Sequence, residues 1–126
     1  MAYRTPLARV RGLGPAKEGT GHFWTQRVTA ISNFFLVCFL IWLLARLAGA
    51  DYATVKGALA QPQNAIALLL LVVSGIVHMR IGMQSIIEDY VHGEGRKIVA
   101  LLLNSFFAFA VGITCAFAVL KLSFGG

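Results

Sequence analysis

Three long apolar runs divide the chain. Residues 28–47 are apolar almost without break until Arg46, residues 65–87 carry only His78 and Arg80 as ionisable groups, and residues 98–120 carry none. A bilayer core of about 30 Å takes roughly 20 residues of helix, so each run is long enough to span. The three prolines, Pro6, Pro15 and Pro62, all lie outside these runs, where they leave the helical hydrogen-bond ladder intact. The pattern predicts membrane helices over 25–47, 64–89 and 97–122, after a tail over 1–24, in one anchor domain covering 1–126. The first 24 residues lack the 7–15-residue apolar core of a cleavable signal, so the first helix is expected to insert uncleaved.

Composition places this pattern in lipid. Hydrophobic residues make up 58% of the 126 and charged residues 13%, and the mean hydropathy is +0.76. A soluble domain carries about 25% charged residues. The fold class is therefore an all-α membrane protein with three transmembrane helices. The net charge of +6 reads as membrane topology, not as a nucleic-acid surface. Arg4, Arg9, Arg11 and Lys17 lie in the tail, Arg27 at the first helix mouth, and Arg96 and Lys97 in the second link. The first link sets Lys56 against Asp51, with Arg46 at its border, and the C-terminus has Lys121 alone. Positive-inside bias puts the N-terminus in the cytoplasm and the C-terminus on the periplasmic side. The expected location is the inner (cytoplasmic) membrane, multi-pass, or the mitochondrial inner membrane in a eukaryote. Cys38 and Cys115 sit within apolar runs without metal-ligand spacing and are not read as ligands.

His78 raises the functional question. It lies nine residues before Ile87, about 13–14 Å along a helix, which is near mid-membrane. Ser74, Gly75, His78, Gly82, Ser85 and Asp89 share one sector of about 100° at 100° per residue. A small-residue face permits close helix packing, and a His there serves as a structural hydrogen-bonder, a proton relay, or a ligand to haem iron. Arg80 points about 160° away from His78. It either snorkels or meets a group on another helix, and Gln84 shares its face. Ala108, Gly112 and Ala116 form a small-xxx-small packing row, and Asn104 reads as an interhelical donor. Trp24 and Tyr90 both suit an interfacial belt.

The run H-x-x-x-G-x-x-x-x-x-x-D-Y-V from His78 to Val91, followed by HGEGRK, resembles the small membrane-anchor subunits of succinate dehydrogenase, respiratory complex II, in mitochondrial and alphaproteobacterial forms. The stretch RVTAI at 27–31 resembles the start of helix 1 in the same subunits. The chain is identified as a member of the D-type hydrophobic anchors. The resemblance implies that His78 is an axial ligand to haem b, and that Tyr90 hydrogen-bonds a ubiquinone carbonyl beside Asp89. It places Arg27 near the haem propionates and the quinone pocket. Arg80 inherits no firm role, although a propionate or the pocket is within its repertoire.

The resemblance also implies partners. Haem b takes two axial ligands, and His22 and His92 lie near the membrane edge, too far off to supply the second. That ligand is expected from a second, C-type anchor subunit sharing the helical bundle. An iron–sulfur subunit and a flavoprotein subunit complete the complex, which passes electrons from succinate to ubiquinone. This chain has no flavin, nucleotide or iron–sulfur motif and is not catalytic alone. The anchor of a quinol:fumarate reductase remains an alternative. So does a small structural or accessory membrane protein whose His78 only packs.

Overall fold

The computed structural model describes Pro6 and residues 18–125. Arg4, Arg9, Arg11 and Lys17, on which much of the expected charge bias rests, lie outside the described residues. Among the residues from 18 to 125 four helices follow in order: α1 (Glu18–Leu47), α2 (Tyr52–Ala60), α3 (Pro62–Tyr90) and α4 (Glu94–Ser123). Three of them, α1, α3 and α4, are long and apolar enough to cross a membrane.

The helices run past the apolar runs at several ends. Residues 18–24 of the expected tail continue α1, α3 begins at Pro62, and α4 begins at Glu94. Hydropathy marks where lipid stops, whereas the backbone ladder continues until something caps it. Pro62 starts α3 at no cost, because the first helical position needs no N–H partner. Gln61 before it is held extended, at φ −62° and ψ 132°, as a residue preceding proline prefers. Gly93 turns the chain between α3 and α4 at φ +101°, a conformation that favours glycine.

The first link holds a short helix that the apolar pattern did not reveal. Asp51 caps α2 by accepting from the Thr54 N–H at 2.9 Å. Hydrogen bonding from Thr54, through its side chain first and its backbone second, holds the Asp51 carboxyl below the usual carboxylate range. Asn64 Nδ2 donates to Ala58 O at 2.8 Å, which ties α2 to the first turn of α3.

Helix α3 is the centre of the molecule, packed on α1 along one side and on α4 along the other. Thr29 meets His78 and Gln26 comes beside Gly82, while Ser105 meets Arg80 and Gly112 comes beside Ile76, so both neighbours run antiparallel to it. Lipid tails are as apolar as leucine, so small residues and hydrogen bonds hold such helices together. Ala108 is 1% exposed, and a Cβ on Gly112 would stand 3.4 Å from Ile76. The row expected to pack is thus seated against α3 at these two positions. Asn104 Nδ2 donates to Arg80 O at 3.0 Å, the interhelical bond expected of it. Over an apolar 18-residue stretch of each candidate span, no more than 11% is buried inside the chain. Most of its apolar surface, including Phe34, Phe35 and Phe106, is therefore left for lipid or for other subunits.

Candidate functional site

Two side chains of α3 one turn apart grip a single residue of α1. His78 Nδ1 lies 3.1 Å from Thr29 Oγ1, and Ser74 Oγ donates to Thr29 O at 3.3 Å. Thr29 and Ser74 are both buried, and His78 is half-buried. The Thr29 hydroxyl also lies 2.7 Å from Thr25 O, one turn back along α1. Such back-bonding satisfies a hydroxyl where water is absent.

A cleft of about 570 Å³ opens beside this junction, within the size range of ligand sites. His22, Gln26, Arg27 and Ala30 line it from α1, and His78, Ile81 and Ser85 line it from α3. The Arg27 guanidinium sits 4.5 Å from the centre of the Phe23 ring. A Cβ on Gly75 would meet nothing within 4 Å, and one on Gly82 would meet only Gln26 Nε2 at 3.7 Å. The small residues of this face therefore border space that the described residues do not fill. Among the described residues no three His, Cys, Asp or Glu side chains gather to hold a metal ion. A metal bound at His78 would share its coordination with groups from elsewhere.

The cleft brings together His78, Arg27, His22 and Ser85. Asp89 and Tyr90 do not line it. They end α3 one turn and more beyond Ser85, both exposed, with Tyr90 at 76%. His92 lies in the link after them and is exposed. Trp24, also exposed at 61%, sits edge-on to Phe23 near the start of α1.

Arg80 occupies a different place. Its Nε and Nη2 donate to Ser105 Oγ at 3.3 and 3.2 Å, across to α4. It lines a second cleft of about 650 Å³ with Gln84, Ala108, Gly112 and Ala116, which shares His22 and Ile81 with the first. Gln84 Nε2 donates to Glu88 at 3.0 Å.

Gln26 and Thr29 are the site residues that sequence reasoning missed, and both lie on α1 beside His22 and Arg27, which it named. His22, Gln26, Thr29 and Asn33 fall within about 60° of one another on an ideal helix. Gln26 Oε1 and Asn33 Oδ1 are buried without a hydrogen-bond partner. This polar stripe was visible in the sequence as a helix-period pattern, but the apolar residues between its members hid it.

Three relatives bear on this arrangement. The profile of the family described as succinate dehydrogenase/fumarate reductase transmembrane subunit matches residues 1–112. The chain is 31% identical to a succinate dehydrogenase hydrophobic membrane anchor subunit of Paracoccus denitrificans, over 99% of this chain and 96% of that protein. It is 29% identical to the subunit of the same description from Rickettsia bellii, over 91% of this chain and 94% of that one. Against a succinate dehydrogenase membrane anchor subunit of Reclinomonas americana the identity is 37%, over 69% of this chain and 75% of that protein. No solved structure matches the chain.

Proposed function

The chain belongs to the succinate dehydrogenase/fumarate reductase transmembrane-subunit family, and from that premise we propose that it helps bind haem b and ubiquinone for electron transfer from succinate. A multi-pass anchor of this family works with other subunits of its complex. The observation that carries the finer reading is the cleft beside His78. An imidazole at mid-span has one ring nitrogen engaged by Thr29 and borders open space, with the Arg27 cation in the same wall.

These residues fit a haem. Imidazole is a natural ligand for its iron. An arginine on the same wall offsets the cost of taking a propionate out of water. The cleft is open on one side, which leaves room for a second subunit and its own axial ligand. When bound, haem b supplies a one-electron store in the middle of the membrane. The chain's own contribution is to ligate through His78, to orient that ring from Thr29, and to balance propionate charge with Arg27.

For ubiquinone the reading rests on Tyr90 and Asp89. The Tyr90 phenol donates a hydrogen bond to a quinone carbonyl oxygen, and Asp89 supports that pocket. Both are exposed and lie outside the His78 cleft, so the quinone pocket is completed by the partner subunits. The antiparallel helices put Arg96 and Lys97 at the same end as Tyr90, with Arg27 in the half of α1 nearer that end, and the proposed orientation sets that end in the cytoplasm or matrix. A reporter fused to the C-terminus should be active only on the opposite side.

The decisive experiment is a reduced-minus-oxidised optical spectrum of the purified complex. His78→Ala should remove most of the b-type band. A mutant complex with its full band would rule out ligation by this residue.

A further inference from the structure

A threonine hydroxyl has one proton to give. Thr29 Oγ1 lies 2.7 Å from Thr25 O and 3.1 Å from Gln26 O. Both are carbonyl oxygens and can only accept, and two oxygens 2.7 Å apart repel unless a proton lies between them. The Thr29 proton is therefore committed to its own helix. At 3.1 Å from the same oxygen, His78 Nδ1 must be the donor. A neutral imidazole with its proton on Nδ1 carries its free electron pair on Nε2.

We propose that Thr29 is the positioning residue for His78: its hydroxyl accepts the Nδ1 proton, fixes the ring's tautomer and rotation, and so presents Nε2 to the haem iron. This rests on the haem reading above. Metal-bound histidines almost always donate their second ring nitrogen to an oxygen, which fixes the ring and raises its basicity. Here that oxygen comes from a different helix. Ser74, one turn before His78, donates to the carbonyl of the same Thr29, so the register of α3 on α1 and the angle of the ring are set at one residue. The hydroxyl is buried, 9% of Thr29 being exposed, so water does not compete for the Nδ1 proton.

Four variants of the assembled complex test this. Thr29→Val keeps the shape and removes the acceptor. It should weaken haem retention by about tenfold or more. It should also raise the haem midpoint potential, because a less basic imidazole supports the oxidised iron less. A tenfold change in the oxidised-to-reduced ratio is about 59 mV for one electron. Thr29→Ser retains the acceptor and should behave as the native chain. Ser74→Ala loosens the same helix pair without touching Nδ1 and should shift the potential by much less than Thr29→Val does. A native potential and native retention in Thr29→Val would overturn the proposal, as would an equal shift in Ser74→Ala. His78→Ala separates the two levels: full haem in that variant defeats the haem reading itself.

Should Thr29→Val fail to assemble, the unaltered complex gives the answer. In the ferrous low-spin state, solid-state NMR with labelled histidine and threonine should show a His78 Nδ1–H close to the Thr29 side chain. A deprotonated Nδ1 at His78 would overturn the proposal.

Discussion

The two sides of α3 each carry an ionisable residue within the span, and they treat it differently. Arg80 faces α4. It is met there by Ser105, and its backbone carbonyl is met by Asn104. His78 faces α1, which engages one ring nitrogen through Thr29 and leaves the other to a cleft walled by His22, Gln26 and Arg27. Polar groups in lipid are costly unless paired. A guanidinium can be accommodated by neutral neighbours while its long stem bends, and that makes a helix–helix joint. An imidazole bonded on one nitrogen and open on the other is a joint with a vacant donor pair. Both sides border a cleft, so the difference lies in the partner: Arg80 is bonded to α4 through its own charged group, whereas His78 is bonded to α1 through one ring nitrogen.

The largest expected effect is the one that would break this comparison outright. His78→Leu should abolish most of the reduced b-type absorbance and lower the amount of assembled complex, since the ligand and the cofactor's share of the packing go together. Arg80→Leu should keep the band and mainly alter helix packing. Spectra of both variants at equal complex concentration decide it. Equal haem loss from the two would mean that both sides serve the cofactor.

Next in size is Tyr90→Phe. It keeps the ring and removes only the phenolic donor. A hydrogen bond of this kind is worth about 0.5–1.5 kcal/mol, and more where charge develops on its acceptor. Quinone reduction should fall by about tenfold or more, at roughly 1.4 kcal/mol per decade. Succinate oxidation with a soluble acceptor that draws electrons upstream should stay near native. The haem band should also stay, because Tyr90 lies twelve residues, roughly 18 Å of helix, beyond His78. If quinone turnover survives, Tyr90 is an interfacial anchor. Asp89→Asn should act in the same direction, more mildly.

A smaller effect sharpens the α4 side. Asn104 is buried at 9% exposure and donates to Arg80 O. Hydrogen bonds between membrane helices average about 0.6 kcal/mol, and Arg80 O keeps its helical partner when Asn104 is lost. Asn104→Leu should therefore lower the detergent-unfolding midpoint only slightly and leave the haem potential unmoved. A shifted potential would show that the two sides of α3 are coupled.

The sequence carried the spans, the packing row at Ala108 and Gly112, and the Asn104 bond, because these follow from length and helical period. It did not carry helix α2, whose nine residues are too few to announce themselves by hydropathy. Nor did it settle Arg80, since a flexible side chain with two reachable neighbours has no period to read. Thr29 lies within RVTAI, where nothing in the sequence marks it for a task. Its role depends on which α3 residue comes opposite, and that is a property of two helices together. The sector of small residues around His78 was legible, whereas the polar stripe facing it from α1 has a helix period that the apolar residues between its members hide; one side-chain oxygen each of Gln26 and Asn33 is buried there without a hydrogen-bond partner.

The smallest effect lies away from both sides of α3, at Asp51. Thr54 holds its carboxyl below the usual carboxylate range. The group is ionised more readily in the folded chain than in the unfolded one. Its contribution is then complete above the ordinary carboxylate value and is lost as pH falls through the lowered one. Above that range Asp51 also favours the N-terminus of α2, where partial positive charge collects. Acidification, or Asp51→Ala at neutral pH, should fray the first turn of α2, which hydrogen exchange at the Thr54 and Val55 amides would report. Asp51 is exposed, and α2 joins α3 through Asn64, a contact that does not involve Asp51. The haem band and quinone turnover should therefore be native in Asp51→Ala. If either fell, the end of the bundle away from Tyr90 would be acting on the His78 side through α3, and the independence of the two sides would have to be abandoned.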